Sequence, residues 1–350
     1  MGAGVMAAHL VIDRPGLFSS LQDFGRFGYQ RFGISASGAM DSLALQAANL
    51  LVGNERGEAA IELTMLGLSA TVEGGPLRIA QAGADMPLSI NGAAVEGWRA
   101  YELVPGDRID IGVARAGMRA YLALAGGFDI APTFGSLSTH SRSAIGGLEG
   151  RALRTGDRLP VRGAAAGPLL TLAPAHRPRG ERSIRVMLGP QDDLFTAKGI
   201  ETFLSSDYHA TDKADRMGAQ LDGPEIEHAD GFNIVSDGIM NGSVQVPGNG
   251  RPLVLLADRQ TTGGYPKIAT VIGPDLWHLG QARPGDVLRF AAVTPEEAQA
   301  AAMAHEKAIM TMVGQLTEVV RPGATLTSEW LLTHNLIDGI CSAIDPELSF

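Results

Sequence analysis

The sequence predicts a mainly β protein with few helices, built as two strand-rich lobes in tandem. Short alternating or apolar runs with turn signals between them recur through both halves. The 45 glycines and 19 prolines are dispersed rather than bunched, so they punctuate many short elements. At 350 residues the chain is longer than one hydrophobic core usually grows, which favours two units sharing an interface.

The first strand series is LRIAQAG from Leu77, LSINGAAVE from Leu88, RIDIGV from Arg108 and MRAYLALAGG from Met118. The second is IRVMLG from Ile184, FNIVSDG from Phe232, SVQVPG from Ser243, PLVLLAD from Pro252, KIATVIG from Lys267 and VLRFAAV from Val287. Between them, Gly163 to Arg182 is rich in Ala, Pro, Gly and Arg and reads as a linker. The expected organisation is an N-terminal lobe over 8–162, a linker over 163–182, a second lobe over 183–293, and a helix with a docking tail over 294–350.

Three helices are expected. Met40 to Val52 carries apolar residues at helical spacing and stops at Gly53-Asn54. Asp192 to Leu204 opens on acidic residues. The third begins with Thr294, Pro295 and Glu297, a capping box, and runs to about Gln315. The apolar tail WLLTHNLIDGI is expected to dock. A Gly-Asp turn feeding a strand recurs at Gly106-Asp107, Gly156-Asp157 and Gly285-Asp286, either as internal duplication or as shared turn chemistry.

Composition excludes several classes. The net charge is −10 and no Lys/Arg cluster is dense enough to neutralise a row of phosphates, so nucleic acid is not an expected partner. No apolar run reaches membrane-spanning length, and MGAGVMAAHL has neither the basic flank nor the apolar core of a secretory signal. A cytoplasmic protein with no membrane contact is expected. Cys341 stands alone, so it forms neither an internal disulfide nor a zinc site and reads as an inert tail residue. The eight histidines are scattered, and no metal site is expected. Phosphate-binding G-x-x-x-x-G-K-[ST], dinucleotide-binding G-x-G-x-x-G, zinc H-E-x-x-H and nucleophile G-x-S-x-G motifs are all missing from the sequence.

Polar groups concentrate in four segments. The strand PLVLLA runs into Asp258, Arg259, Gln260, Thr261, Thr262, Gly263, Gly264 and Tyr265. Planar Arg and Gln forks there suit a carboxylate or amide, and the glycines let backbone N–H groups approach a ligand; a polar hairpin is the simpler alternative. Asp215-Arg216-Met217-Gly218 is a second set, and a third runs from Ser236-Asp237-Gly238 through Gln245 to Gly250. The fourth is Gln22 to Arg26 with Ser35, Ser37 and Gly38 ahead of the first helix, where the N–H groups could hold an anion or Ser37 could simply cap. Glu62 and Gln81 are kept as lining residues.

These segments carry a resemblance. VIDRPGLFSSLQDFGRFGYQRFGISASGAMD, DRMG, IVSDGI, VQVPGNG, DRQTTGGYPKIATVIGPDL and QARPGD resemble the KipA family, also called allophanate hydrolase subunit 2 or biotin-dependent carboxyltransferase, which includes the C subunit of 5-oxoprolinase. The likeness spans about residues 9 to 290. It implies two cyclophilin-like β-barrel lobes. It also implies work with two partner proteins, one KipI-like and one LamB/YcsF-like, opening 5-oxoproline to glutamate at the expense of ATP used by the complex. Two alternatives accompany it: a urea or allophanate carboxyltransferase, which would depend on biotin, and a non-catalytic regulator that binds a KipI-type kinase inhibitor. Ala219, Asp237 and Asn241 depart from the residues common in the family, leaving the exact substrate open.

Urea and the 5-oxoproline lactam are both planar amides that build charge on the carbonyl oxygen as they react. The expected roles follow. Arg259, Gln260 and the N–H groups of Gly263 and Gly264 recognise the carbonyl or carboxylate, Tyr265 lines the wall, and Asp258 or Asp237 is the base. Arg216 and Gln245 complete the cleft, and Ser35, Ser37 and Gly38 contribute from the first lobe. The expectation requires Arg216, Gln245 and Arg259 to converge on one pocket.

Overall fold

Residues 7–163, 167–178 and 183–319 are described by a computed structural model. The expectations for Cys341 and the WLLTHNLIDGI tail lie outside them. The first lobe is a pair of antiparallel sheets. One has six strands in the order 158–160, 9–14, 69–73, 108–111, 88–90 and 93–95; the other has five, in the order 18–22, 60–64, 116–124, 77–85 and 100–103. Leu10, Ile12, Leu21, Ile61, Val72, Ile79, Ile109 and Leu122 form the core of this lobe.

The neighbouring 116–124 and 77–85 strands of the five-stranded sheet are buried along most of their length on both faces. Ile79 and Leu122 belong to the lobe core, while Ala80, Ala82, Ala123 and Ala125 belong to the cluster formed with helix α1 (Ser42–Val52). The alanines leave room for α1 to lie close against the sheet. The cap of α1 is Asp41, whose carboxylate accepts from the Ala44 N–H at 2.9 Å, so the expected start at Met40 moves inward and Ser37 is not the cap.

The second lobe is a closed barrel of seven strands in the order 183–188, 267–271, 243–245, 253–255, 218–222, 208–214 and 287–292. Parallel pairing of the last strand with the first closes it. Inside, Phe203 of helix α2 (Ala197–Ser205) stacks on Phe290 with ring centroids 4.7 Å apart. The helix expected from Asp192 begins later. A 3-10 turn covers Asp192–Leu194, Phe195 bridges to His228 in extended conformation, and Thr196 caps α2 through the Gly199 N–H. Of the FNIVSDG run only Asp237–Gly238 is paired as a strand, with Thr262–Gly263; its glycine and polar residues leave the rest a loop.

Helix α3 (Leu276–Gln281) had no clear sequence signal, because it is short and follows Gly273-Pro274. Helix α4 (Pro295–Gly314) carries the expected capping box in full, with Thr294 and Glu297 bonding each other's backbone N–H. Its Ile309 and Met312 pack into the α1 cluster, and Arg56 meets Glu306 at 2.7 Å. Inside the expected linker, Leu170–Thr171 pairs with Thr317–Glu318. The residues through Glu318 make one compact unit. Among the described residues no helix is long and apolar enough to cross a membrane.

The three Gly-Asp turns share one geometry. Asp107, Asp157 and Asp286 each accept, at 2.7 or 2.8 Å, from the N–H three residues earlier, at Val104, Arg154 and Arg283. Gly106, Gly156 and Gly285 each take a φ between 88° and 94°, a left-handed conformation that glycine adopts without strain. Turn chemistry accounts for the echo.

Candidate functional site

The lobes are joined by a buried ion network centred on Arg216. Its guanidinium donates from Nη1 to Glu62 Oε1 at 2.6 Å, from Nε and Nη2 to the two oxygens of Asp258 at 2.8 and 3.0 Å, and from Nη2 to the Gly38 carbonyl at 2.7 Å. Glu62 projects from the 60–64 strand of the first lobe, and Asp258 follows the 253–255 strand of the barrel. Arg216 sits in the turn between the 208–214 and 218–222 strands, held there by the Asp258 N–H bonding its carbonyl at 2.8 Å. Burial alone would lower the Arg216 guanidinium, but Glu62 and Asp258 outweigh it and hold the group above its ordinary value. A cation this deep is tolerated because every arm of the fork meets an acceptor.

The network extends into the first lobe. Glu62 Oε2 accepts from the Tyr121 hydroxyl at 2.6 Å and the Met40 N–H at 2.9 Å, and the Asp41 N–H donates to the Tyr121 oxygen at 2.8 Å. Asp41 in turn accepts from the Gln281 amide at 2.7 Å. Burial pushes the Asp41 carboxyl up to about 6, partly offset by hydrogen bonds from Ala44 and Gln281. Burial and the neighbouring Glu62 and Asp41 carboxylates push the Tyr121 hydroxyl well above its usual value, so it stays protonated as a donor.

Beside the network lies a cleft of about 400 Å³, lined from the first lobe by Met65, Met118, Arg119 and Arg142 and from the barrel by Asp215, Arg216, Met217 and Asp258. That size suits a small molecule. Arg119 donates to the Gly280 carbonyl at 2.6 Å and lies 3.8 Å from Glu62, while its buried Nε has no hydrogen-bond partner among the described residues. Arg142 and Asp215 pair at 3.1 Å between the lobes, both well exposed. The cleft therefore offers donors backed by a rigid, water-poor wall, the arrangement that can hold a carbonyl or carboxylate oxygen.

The predicted residues divide into three groups. Arg216, Asp258 and Gly38 come together at the network. Arg259, adjacent in sequence, is directed elsewhere: it donates to the Ile239 carbonyl at 3.2 Å and Gln30 Oε1 at 3.4 Å, and its own carbonyl accepts from the Ser35 hydroxyl. Burial lowers the Arg259 guanidinium to about 10, with Asp258 opposing the shift. Ser37 donates its N–H to the Ala257 carbonyl at 3.1 Å, so Ser35 and Ser37 act as lobe-to-lobe ties. Gln260 borders an adjoining groove that shares Arg142, Asp212, Asp215 and Met217 with the cleft.

The third group adjoins Arg259 through Ile239, whose carbonyl accepts from Arg259 and whose side chain lies beside Gly263. Gln245 donates to the Tyr265 carbonyl at 3.2 Å, Gly263 pairs with Asp237, and the Gly264 carbonyl accepts from Ile234. Asp237 is bonded by Lys267 Nζ at 2.6 Å, which with the Gly238 N–H holds its carboxyl below the usual range and makes it a poor proton acceptor at neutral pH. Of the three residues expected to converge, Arg216 lines the cleft, Arg259 bonds backbone carbonyls and Gln30, and Gln245 bonds Tyr265.

Sequence reasoning kept Glu62 only as a lining residue and passed over Arg119, Tyr121 and Arg142. A signal was present for two of them. Glu62 in AIELT and Arg119 in MRAYLALAGG are lone charges inside apolar strands, and a charge there must be paired or functional. Gln81, the other lining candidate, donates to the Met86 carbonyl at 3.1 Å. Among the described residues no group of three or more His, Cys, Asp or Glu side chains could hold a metal ion.

Known proteins resemble the chain along most of its length. The carboxyltransferase domain family, subdomain A and B, matches residues 32–292. The C subunit of 5-oxoprolinase from Escherichia coli (strain K12) is 39% identical over 290 residues, covering 83% of this chain and 93% of the relative. The Haemophilus influenzae protein of the same name is 37% identical over 281 residues, covering 80% and 90%. Among solved structures, Kluyveromyces lactis Urea Carboxylase superposes with a TM-score of 0.83 at 28% identity, covering 91% of this chain but 30% of that one. The chain belongs to the carboxyltransferase domain family, subdomain A and B, and its relatives there include the C subunits of bacterial 5-oxoprolinases.

Proposed function

We propose that the chain is the C subunit of a cytoplasmic 5-oxoprolinase, acting with a KipI-like protein and a LamB/YcsF-like protein to open 5-oxo-L-proline to L-glutamate with ATP. The observation that carries this reading is the 39% identity to the E. coli 5-oxoprolinase C subunit across 93% of that protein. The inter-lobe cleft is the proposed substrate site. A lactam that also bears a carboxylate needs donors at two points; Arg119 lines the cleft at one, and the exposed guanidinium of Arg142, which pairs with Asp215 through Nη2 alone, keeps donors for the other. Met65, Met118 and Met217 supply an adaptable apolar wall for the ring. Arg216 and Asp258 hold that wall in place, and neither is free to act as a proton carrier while they bind each other.

The cleft is a poor match to a triphosphate. Its three arginines face Asp212, Asp215 and Asp258, and Arg142 and Arg216 are already paired, so the described lining leaves no row of free cations for phosphate oxygens. ATP chemistry is accordingly assigned to a partner protein. Co-purification with candidate KipI-like and LamB/YcsF-like partners, followed by an assay of ATP-dependent glutamate release from 5-oxoproline, tests the reading. Release that requires this chain supports it. Tight association without turnover supports the regulatory alternative instead.

A second reading is favoured by the superposition on Kluyveromyces lactis Urea Carboxylase at a TM-score of 0.83. Under it the same cleft takes urea and receives a carboxyl group from a biotinylated partner protein. Inhibition by avidin would support that reading, and insensitivity to avidin would exclude it.

A further inference from the structure

A second cavity, of about 320 Å³, shares none of its lining residues with the inter-lobe cleft. It is bounded by helices α1 and α3 and the 77–85 and 116–124 strands, where alanine and glycine side chains leave the space between them unfilled. Two of the three tryptophans in the chain, Trp98 and Trp277, form part of its wall. Its charged lining residues are Asp41 and Asp85, and no lysine or arginine is among the described residues that line it.

The polar side is rigid. Asp41 is buried, with Oδ1 on the Ala44 N–H at 2.9 Å and Oδ2 on Gln281 at 2.7 Å. Gln281 is itself fixed by the backbone: its oxygen accepts from the Met118 and Arg119 N–H groups at 2.9 and 3.1 Å, and its amide donates to the Arg119 carbonyl at 2.8 Å. Gly117 permits this, since a Cβ there would stand 2.6 Å from Gln281 Oε1.

The aromatic side already holds a cation. The guanidinium carbon of Arg177 lies 5.8 Å from the centroid of the Trp98 ring; burial lowers this guanidinium, and Glu96 and Asp85 oppose the shift. Two indoles and two carboxylates, with Arg177 set against the Trp98 ring outside the lining, make an environment that favours positive charge.

We propose that this cavity binds a small organic cation, a primary ammonium or guanidinium on a short alkyl chain. Trp98 and Trp277 contact the cationic head and its first methylenes, and Asp85 and Asp41 supply the counter-charge. The inference stands apart from the 5-oxoprolinase reading, because it uses none of the cleft residues.

Intrinsic tryptophan fluorescence of the full chain tests it directly. Butylammonium and butylguanidinium are titrated at constant ionic strength, with butanol and butyrate as neutral and anionic probes of equal length. A saturable change is expected for at least one cation with a Kd of about 1 mM or tighter, and none for butanol or butyrate. Asp85→Asn, an exposed position, is expected to weaken the cation by about tenfold, and Trp277→Leu to remove saturable binding. A matching rise in melting temperature with the cation should appear in the wild type and shrink in Asp85→Asn. No saturable response to either cation, an equal response to butanol, or unchanged affinity in both variants would overturn the proposal.

Discussion

Arg216 of the barrel and Glu62 of the first lobe meet at 2.6 Å with both side chains buried, and Asp258 clasps the other edge of the same guanidinium. Two carboxylates and one arginine placed so deep make the lobe junction dependent on each member. Replacing Arg216 by Met strands Glu62 and Asp258 without their shared cation. The expected cost is about 3–5 kcal/mol of unfolding free energy, read from the midpoint of urea denaturation. A midpoint unchanged from wild type would show that the pair does not join the lobes.

Tyr121 passes the network from Glu62 to the start of α1. Tyr121→Phe keeps the ring and removes one donor and one acceptor, leaving the Asp41 N–H and a Glu62 lone pair unmet in a buried site. A loss of about 1–3 kcal/mol is expected in the same measurement.

Asp41 gives the chain a specific pH response. Its carboxyl is raised from 3.8 to about 6, so the folded state holds the proton more tightly than the unfolded state. This contribution to stability is complete below about 3.8 and is lost as pH rises through about 6. Asp41→Asn keeps a good helix cap and removes the titration. The stability difference between wild type and Asp41→Asn should therefore shift against the wild type between those two values, by on the order of 3 kcal/mol. A difference that stays flat in denaturation at pH 4, 5, 6 and 7 would contradict it.

Arg259 separates the sequence expectation from the structure. A substrate-gripping fork replaced by Lys would raise KM or lower kcat. The observed fork bonds the Ile239 carbonyl and Gln30 and so ties the first lobe to the barrel. Arg259→Lys is expected to cost about 1–2 kcal/mol of stability while leaving KM for 5-oxoproline in the reconstituted complex near the wild-type value.

What the sequence made legible was local. Short strand runs such as Leu77–Asp85 and the Thr294/Glu297 capping box carry their own instructions, because side-chain patterning and cap chemistry act within a few residues. The FNIVSDG run misled because its residues have strand propensity but no continuous partner strand, and pairing is a tertiary fact. The site was half legible for the same reason. The Arg216 turn and Asp258 stood out as polar groups near strands, yet the other carboxylate on Arg216, Glu62, lies 154 positions away, and nothing local joins them. Adjacent polar residues were also read as one site, whereas Asp258 and Arg259 leave the chain toward different neighbours, one toward Arg216 and one toward Gln30.

The most direct test of the cleft as the substrate site fills it without touching the ion network. Met217 lines the cleft and is only partly buried, so Met217→Trp narrows the space while Glu62, Arg216 and Asp258 keep their contacts. In the complex reconstituted with the KipI-like and LamB/YcsF-like partners, the cleft account predicts that this variant retains its melting temperature and its association with them but loses at least about tenfold in kcat/KM for ATP-dependent glutamate release. Wild-type kcat/KM in a folded, assembled Met217→Trp complex would contradict the account.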